Sequence, residues 1–351
     1  MATSGTVGQS TFNVLKIIEM AMRRAGLKSN AIGAETMDIA RSNLHLYLSH
    51  LSNQGVNLWC LEKSVLGVTP QSYIFTLPVG TIEVLNASYR TMTRLSGGTA
   101  ASSSGGTAAN AFDGDTTTAC TQTATGGNIS YALGAATQVS TVGYLPNATG
   151  SLNLTYQYST NSGVTWSTAY AVGATSYTAG VWEWFDLPIN TEAADWRVST
   201  SAGTLDAREV YFGSSPAETT MARLNRDDYT ALPNKTTTGT PLQFWFDRQR
   251  ASPRMWVWPV PTNTLAQIVV WRHRHVEDIG VYTNEVEIPQ RWLEAIVMNL
   301  AWKLALETPS ADMQRIDYLR KIAEKEEFEA SAEERDASPI YFNPAVVAYT
   351  T

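Results

Sequence analysis

The side chains that could do chemistry are few and scattered along the chain. His273 and His275 sit two apart in a stretch of strand character, so both rings would face one side, with Glu277 and Asp278 just beyond. A metal site can be drawn from these four. An H-x-H pair supplies only two of the usual three or four ligands, however, and the plainer reading is a polar strand edge. Carboxylate pairs at Asp227-Asp228 and Asp113/Asp115 are the residue type of glycosidase chemistry, which needs two carboxyl groups about 5 to 9.5 Å apart. Asp227 and Asp228 precede Tyr229 in what reads as a helix start, where acids are common because they face the positive end of the dipole. His45 and His50 fall on a helical pattern and line a polar face. No G-x-S-x-G, P-loop, H-E-x-x-H or C-x-x-C pattern occurs. No active site assembles, and a non-enzymatic protein is expected.

Tryptophans form the more distinctive grouping. Trp245, Trp256, Trp258 and Trp271 lie on neighbouring strand candidates, and Trp292 and Trp302 on the helical stretch that follows. Most are expected in a large aromatic core, with a subset free to face a neighbouring subunit. Arg248, Arg250, Arg254, Arg272 and Arg274 are interleaved with them, but Asp247, Glu277 and Asp278 offset that charge, which disfavours a stacking platform for nucleic acid.

The elements that must carry these residues can be read from periodicity. Val14, Leu15, Ile17, Ile18, Ala21, Met22 and Ala25 follow a helical spacing behind a cap at Ser10 or Thr11, and Gly26 stops it. A second helix is expected over 34–53, with Met37, Ala40, Leu44, Tyr47, Leu48 and Leu51 on one stripe. Strands are expected at 73–77 and 82–89, then at 244–246, 255–258 and 267–272. A strong helix opens at Ile288-Pro289, and a charged one runs from about 311 to 335, its acidic stretch 324–334 read as a solvated face. Between these blocks, 128–133, 151–158 and 183–187 read as short strands. Leu152, Leu154, Tyr156 and Tyr158 line one face, and 96–109 form a flexible lead-in.

Charge marks the same division. The chain of 351 residues has a net charge of -7, yet residues 96–215 contain no lysine and only Arg197 and Arg208 against 8 acids. Residues 1–95 are net +3 and 216–351 net -4. Composition that changes at both edges of a block points to a domain inserted into a host. No run of about 18 apolar residues exists, so no membrane span is expected, and the first residues lack the basic flank and apolar core of a secretory signal. Cys60 and Cys120 allow one bridge at most. An acidic balance argues against wrapping nucleic acid through its phosphates. The uncharged, apolar stretch 338–351, with two prolines, cannot build a core of its own and suits docking on a partner.

The flanking blocks resemble a known family. Ala21-Met-Arg-Arg-Ala-Gly-Leu27, Ser52-Asn-Gln-Gly-Val-Asn-Leu-Trp59 and Pro78-Val-Gly-Thr-Ile-Glu-Val-Leu85 are similar to its first part. Leu232-Pro-Asn-Lys-Thr-Thr-Thr-Gly-Thr-Pro241, Phe244-Trp-Phe-Asp-Arg-Gln249, Val257-Trp-Pro-Val-Pro261 and Val286-Glu-Ile-Pro-Gln-Arg-Trp-Leu293 follow in the same order. The family is the head-to-tail adaptor of short-tailed phages, also called tail accessory or packaged-DNA stabilisation protein, and the likeness covers about 10–95 and 220–335. It implies a structural virion protein at the head-tail junction, made in the bacterial host cytoplasm. Its copies form a ring, dodecameric in the family, that docks on the portal protein, extends the DNA channel and meets the tail nozzle or tail fibre proteins below. Tyr341, Phe342, Val346 and Tyr349 would then anchor the portal. A ring of such acidic subunits suits a conduit through which DNA passes without sequence-specific binding.

The inserted block resembles discoidin-like (factor V/VIII type C) jelly-roll modules through Asn110-Ala-Phe-Asp-Gly-Asp-Thr-Thr-Thr118, Tyr158-Ser-Thr-Asn-Ser-Gly-Val-Thr-Trp166, Phe185-Asp-Leu-Pro188, Trp196-Arg-Val198 and Glu209-Val-Tyr-Phe-Gly213. Such modules often bind glycans, and many hold a structural calcium near the Asp-Gly loop. Carried over, Asp113, Asp115 and Thr118 are the calcium candidates, as hard oxygen donors. The chain departs from the pattern with Cys120 where a tryptophan is usual, and with Glu209 one residue from the usual glutamate relative to Gly213. The fold expected is α+β: a discontinuous host over 1–95 and 220–337, helical with a small antiparallel sheet, an inserted all-β jelly roll over 96–219, and an extended tail over 338–351. The alternative function is a carbohydrate-binding virion protein that uses the jelly roll for glycan attachment.

Overall fold

The computed structural model describes residues 12–27, 33–52, 58–69, 71–188, 191–214, 216–263, 265–308 and 312–334. The chain mixes helices with a larger share of strand and divides into two compact units, Met1–Glu62 with His273–Thr351, and Lys63–Arg272.

The first unit is built on α4 (Leu293–Glu307), which is apolar on nearly every side and is buried from Ala295 through Ala301 and again at Leu304 and Ala305. A helix of that composition has to be covered all round. α1 (Val14–Ala25), α2 (Ala34–Leu51) and α5 (Met313–Glu333) pack against it with their apolar stripes. α1 starts with Asn13, whose side chain accepts a hydrogen bond from the Lys16 amide, rather than at Ser10 or Thr11, which lie outside the described residues. It stops at Gly26 in the left-handed region, where Leu27 N–H donates to the Met22 carbonyl. The acidic end of α5 is not all solvated as its composition predicts. The Glu334 side chain is only 5% exposed, accepts from the Leu58 amide at 3.0 Å and pairs with Arg291.

The second unit contains a seven-stranded sheet and a β-sandwich. The sheet takes β1 (Leu61–Gly67), β2 (Ile74–Thr76) and β3 (Thr81–Thr91) from one side of the composition break, and β13 (Ala217–Leu224), β14 (Gln243–Asp247), β15 (Arg254–Trp258) and β16 (Ala266–Arg274) from the other. Its order is β1-β16-β3-β13-β14-β15-β2, and β13 runs parallel to β14, so the sheet is larger than the small antiparallel one expected and is mixed. Every strand between β3 and β13 belongs to the sandwich. One layer is β10 (Glu183–Asp186), β7 (Thr141–Pro146), β12 (Asp206–Gly213) and β5 (Cys120–Thr121). The other is β4 (Thr99–Ser102), β6 (Asn128–Gln138), β11 (Glu192–Thr200), β8 (Gly150–Ser159) and β9 (Ser167–Tyr177). Leu154 and Tyr156 are fully buried between the layers, with Leu152 and Tyr158 packed beside them, as the alternation along 151–158 predicts.

Two expectations change. Residues 96–109 are not a free lead-in: β4 pairs with β6 in the register Thr99↔Ala132 to Ser102↔Ile129, and the Gly98 amide donates to the Tyr131 hydroxyl. The sheet tryptophans are not the core either. Phe244, Phe246, Met255 and Val257 face the core, so the alternating Trp245 and Trp256 lie on the opposite face, 5.8 Å apart and packed on Tyr229 of α3 (Arg226–Ala231). Cys60 and Cys120 are both buried free thiols.

The sandwich hangs from adjacent strands. β3 and β13 are antiparallel neighbours from Thr91↔Ala217 onward, and Arg94 bridges to Gly213. Replacing residues 96–213 with a short Gly-Ser turn is therefore expected to leave a folded remainder. Its circular dichroism should keep the helical signal and lose strand signal in proportion, whereas a chain unfolded by that replacement would show that the sandwich is required for the sheet to form.

Candidate functional site in the sandwich module

The Asp-Gly loop follows a 3-10 turn at Ala108–Ala111 and precedes β5. Gly114 has φ +82°, a backbone angle that suits glycine, and it turns the chain so that the acids fold back on their own loop. Asp113 accepts from the Asp115 amide at 2.8 Å and from the Thr118 hydroxyl at 2.9 Å, one bond to each carboxylate oxygen. Asp115 Oδ1 accepts from the Thr117 amide and hydroxyl at 2.8 and 2.6 Å, which holds its carboxyl below the ordinary value. Asp113, Asp115 and Thr118 thus come together, but as a hydrogen-bonded turn whose side chains bond one another. Among the described residues no group of three His, Cys, Asp or Glu side chains could hold a metal ion.

Glu209 feels the loop directly, through the Asp113 carboxylate and the Gly114 amide. A bulge between Ala207 and Glu209 in β12 breaks its pairing with β7. Ala207, Val210 and Phe212 enter the sandwich core, while Glu209 (0% exposed) and Tyr211 do not. Burial pushes the Glu209 carboxyl up to about 7; Arg94 and the Gly114 amide oppose that rise, and the Asp113 carboxylate adds to it.

A second site lies at the turn that follows β7. β7 runs from Thr141, paired with Gly213, to Pro146, paired with Ala207. The turn after it is therefore remote from the point where the chain leaves the module. There, Tyr144, Thr149, Ser151, Leu152, Tyr177 and Asp206 line a cavity of about 220 Å³. Tyr144 is committed to the framework, since its hydroxyl donates to the Asp206 carbonyl at 3.1 Å. Asp206 accepts from Thr121 at 2.7 Å and from Asn147 at 3.0 and 3.1 Å. The Tyr177 hydroxyl, beside Thr175, is buried without a hydrogen bond of good geometry. A cavity lined by two tyrosines together with hydroxyl and carboxylate groups can hold one polar ring-sized molecule.

No described protein family matches the chain, and no curated protein matches it. Among solved structures, one similar chain is the chitosan-binding module 1 of a chitosanase/glucanase from Paenibacillus sp. IK-5, 27% identical, covering 35% of this chain and 99% of that one with a TM-score of 0.30. A second is a family 32 carbohydrate-binding module of Clostridium perfringens NanJ in complex with galactose, 17% identical over 36% of this chain and 99% of that one, TM-score 0.30. A third is such a module from a family 31 glycoside hydrolase of Clostridium perfringens, 14% identical over 34% and 96%, TM-score 0.30.

Other sequence candidates separate in space or fall outside the description. His273 is buried in β16 while His275 is exposed beyond the strand end, so the two do not share a face. Asp227 and Asp228 form the first turn of α3, behind an Asn225 cap. Tyr341, Phe342, Val346 and Tyr349 lie outside the described residues. Sequence reasoning missed the distal cavity, because its residues come from four separated strands and two turns, with no spacing to betray them.

Proposed function

We propose that the chain is a non-enzymatic structural protein of a phage virion, a ring-forming head-to-tail adaptor that carries a discoidin-like module on its host sheet. One observation supports this most. The two stretches that resemble the adaptors, about 10–95 and 220–335, interleave: each supplies helices to the first unit, and each supplies strands to one sheet of the second. The intervening block leaves and rejoins at neighbouring strands, as a decoration does on a complete frame. In this reading the host assembles at the portal and the stretch 338–351 grips it. Mixing the full chain with purified portal rings should give one particle carrying about twelve copies, by mass photometry and electron microscopy, following the family's dodecamer. Removing 338–351 should abolish the union and leave a soluble protein. Undiminished docking of the shortened chain would overturn the assignment.

The distal cavity favours a second role, carbohydrate binding by the module. Its volume suits a single sugar ring, and the Tyr177 hydroxyl is a buried group with a hydrogen bond left to make. Screening the full chain on a glycan array should then show binding that Tyr177→Phe weakens about fivefold to tenfold, the worth of one hydrogen bond. Binding equal in both proteins would move any sugar site elsewhere.

A further inference from the structure

Glu209 poses a problem of charge. Its carboxylate is wholly removed from solvent, and neither oxygen has a hydrogen bond of good geometry. An isolated buried carboxylate is too costly to keep ionised. The Asp113 carboxylate lies near enough to act on it with the same sign. Two acids beside one buried position are what a hard divalent cation bridges. Here a different cation is already in place. Arg94 brings its Nη1 to 2.6 Å from Glu209 Oε2, with its own side chain only 17% exposed. The backbone holds it there: Arg94 bridges to Gly213, the Leu95 amide donates to the Phe212 carbonyl, and the Tyr211 hydroxyl donates to the Thr93 carbonyl at 2.7 Å. The loop needs no ion either, since both Asp113 oxygens are bonded within it.

We infer that Arg94 is the module's built-in cation, the permanent counter-charge that lets Glu209 stay buried beneath the Asp113–Thr118 loop without a metal. A guanidinium suits this task because it keeps its charge at all working pH values and is less strongly hydrated than an ammonium. Arg94 lies in the segment that leads from β3 into β4, so the same residue that neutralises Glu209 pins the chain where it enters the sandwich. The inference holds whatever the module binds and whatever the host assembles with.

Calcium response in the full-length chain tests it, at mildly alkaline pH where carboxylates are ionised. The natural protein should melt at the same temperature in chelator and in millimolar calcium, and should give no sensitised emission with terbium, a calcium substitute that nearby tyrosine and tryptophan rings excite. Arg94→Ala should melt about 10 °C lower in chelator, and calcium should recover part of that loss. Arg94→Met combined with Glu209→Gln, which removes both charges, should melt above Arg94→Met alone. Calcium stabilisation or terbium emission in the natural protein would overturn the inference. So would an Arg94→Ala protein as stable as the natural one, or a double variant no better than Arg94→Met, since either would make Arg94 a packing residue and not a counter-charge.

Discussion

Replacing Arg90 by methionine is expected to lower the stability of the second unit by about 3 to 5 kcal/mol, read as a fall in the urea midpoint at unchanged slope. Arg90 is 4% exposed and stands where the seven-stranded sheet meets the sandwich. Its Nη1 lies 2.6 Å from Asp186 of β10 and 3.3 Å from the Gln267 side chain of β16, and its Nε donates to Glu218 of β13 at 2.8 Å. Lys63 of β1 also pairs with Asp186. One guanidinium therefore ties three strands of the seven-stranded sheet to an edge strand of the sandwich. Methionine fills the space but leaves Glu218 unpaired, Asp186 with Lys63 alone and the buried Gln267 oxygen without its donor, and these losses together are the source of the fall. Burial alone would raise the Asp186 carboxyl, yet bonds from Arg90 and Lys63 hold it below its ordinary 3.8. A depressed value means that its contribution is present above the ordinary value and disappears as pH falls through the lowered one. The natural protein should thus lose this clasp only in strong acid. A loss below about 1 kcal/mol for the variant would place Arg90 among ordinary surface pairs.

Trp196→Ala should cost a similar 3 to 5 kcal/mol, through lost burial and the cavity left behind. Trp196 is 0% exposed on β11, the strand flanked by β6 and β8 in the five-stranded layer. Its ring lies 5.7 Å from Tyr158 and 6.2 Å from Phe212, so it joins both layers, and its Nε1 donates to the Ala193 carbonyl at 3.0 Å. Because the helices of the first unit bury a separate set of side chains, the variant should lose near-ultraviolet aromatic signal at lower urea than it loses helical signal. A single coincident transition for both signals would show that the two units unfold together.

Local signals were legible where a period or a stop residue acts within a few positions. The stripe from Val14 to Ala25 and the stop at Gly26 define α1, and the alternation over 151–158 marks β8. β7 escaped the same reading because all six of its residues are buried, which erases alternation. Its Gly143, with no side chain of its own, lies beneath Trp184, where an added Cβ would come within 2.6 Å of the ring. That role depends on a strand some forty residues away and leaves no local trace. The tryptophans of β14 and β15 misled for a related reason. Composition suggests that large aromatics are core, but the strand period assigned that face to Phe244, Phe246, Met255 and Val257.

The amino-acid sequence by itself determined the helices, the stop of α1 at Gly26, the lysine-free block and its strand-rich character. Each depends on neighbours within a few residues, or on composition summed over many. Only the tertiary structure decided which charges meet. Arg94 reaches Glu209, and Arg90 reaches Asp186 and Glu218, across separations of about a hundred residues. The loop acids Asp113 and Asp115, which read as cation ligands, are satisfied within their own turn. The physical reason is register: one extra residue at the bulge before Glu209 changes which side chains face the core, and that bulge is set by strand pairing and not by local preference.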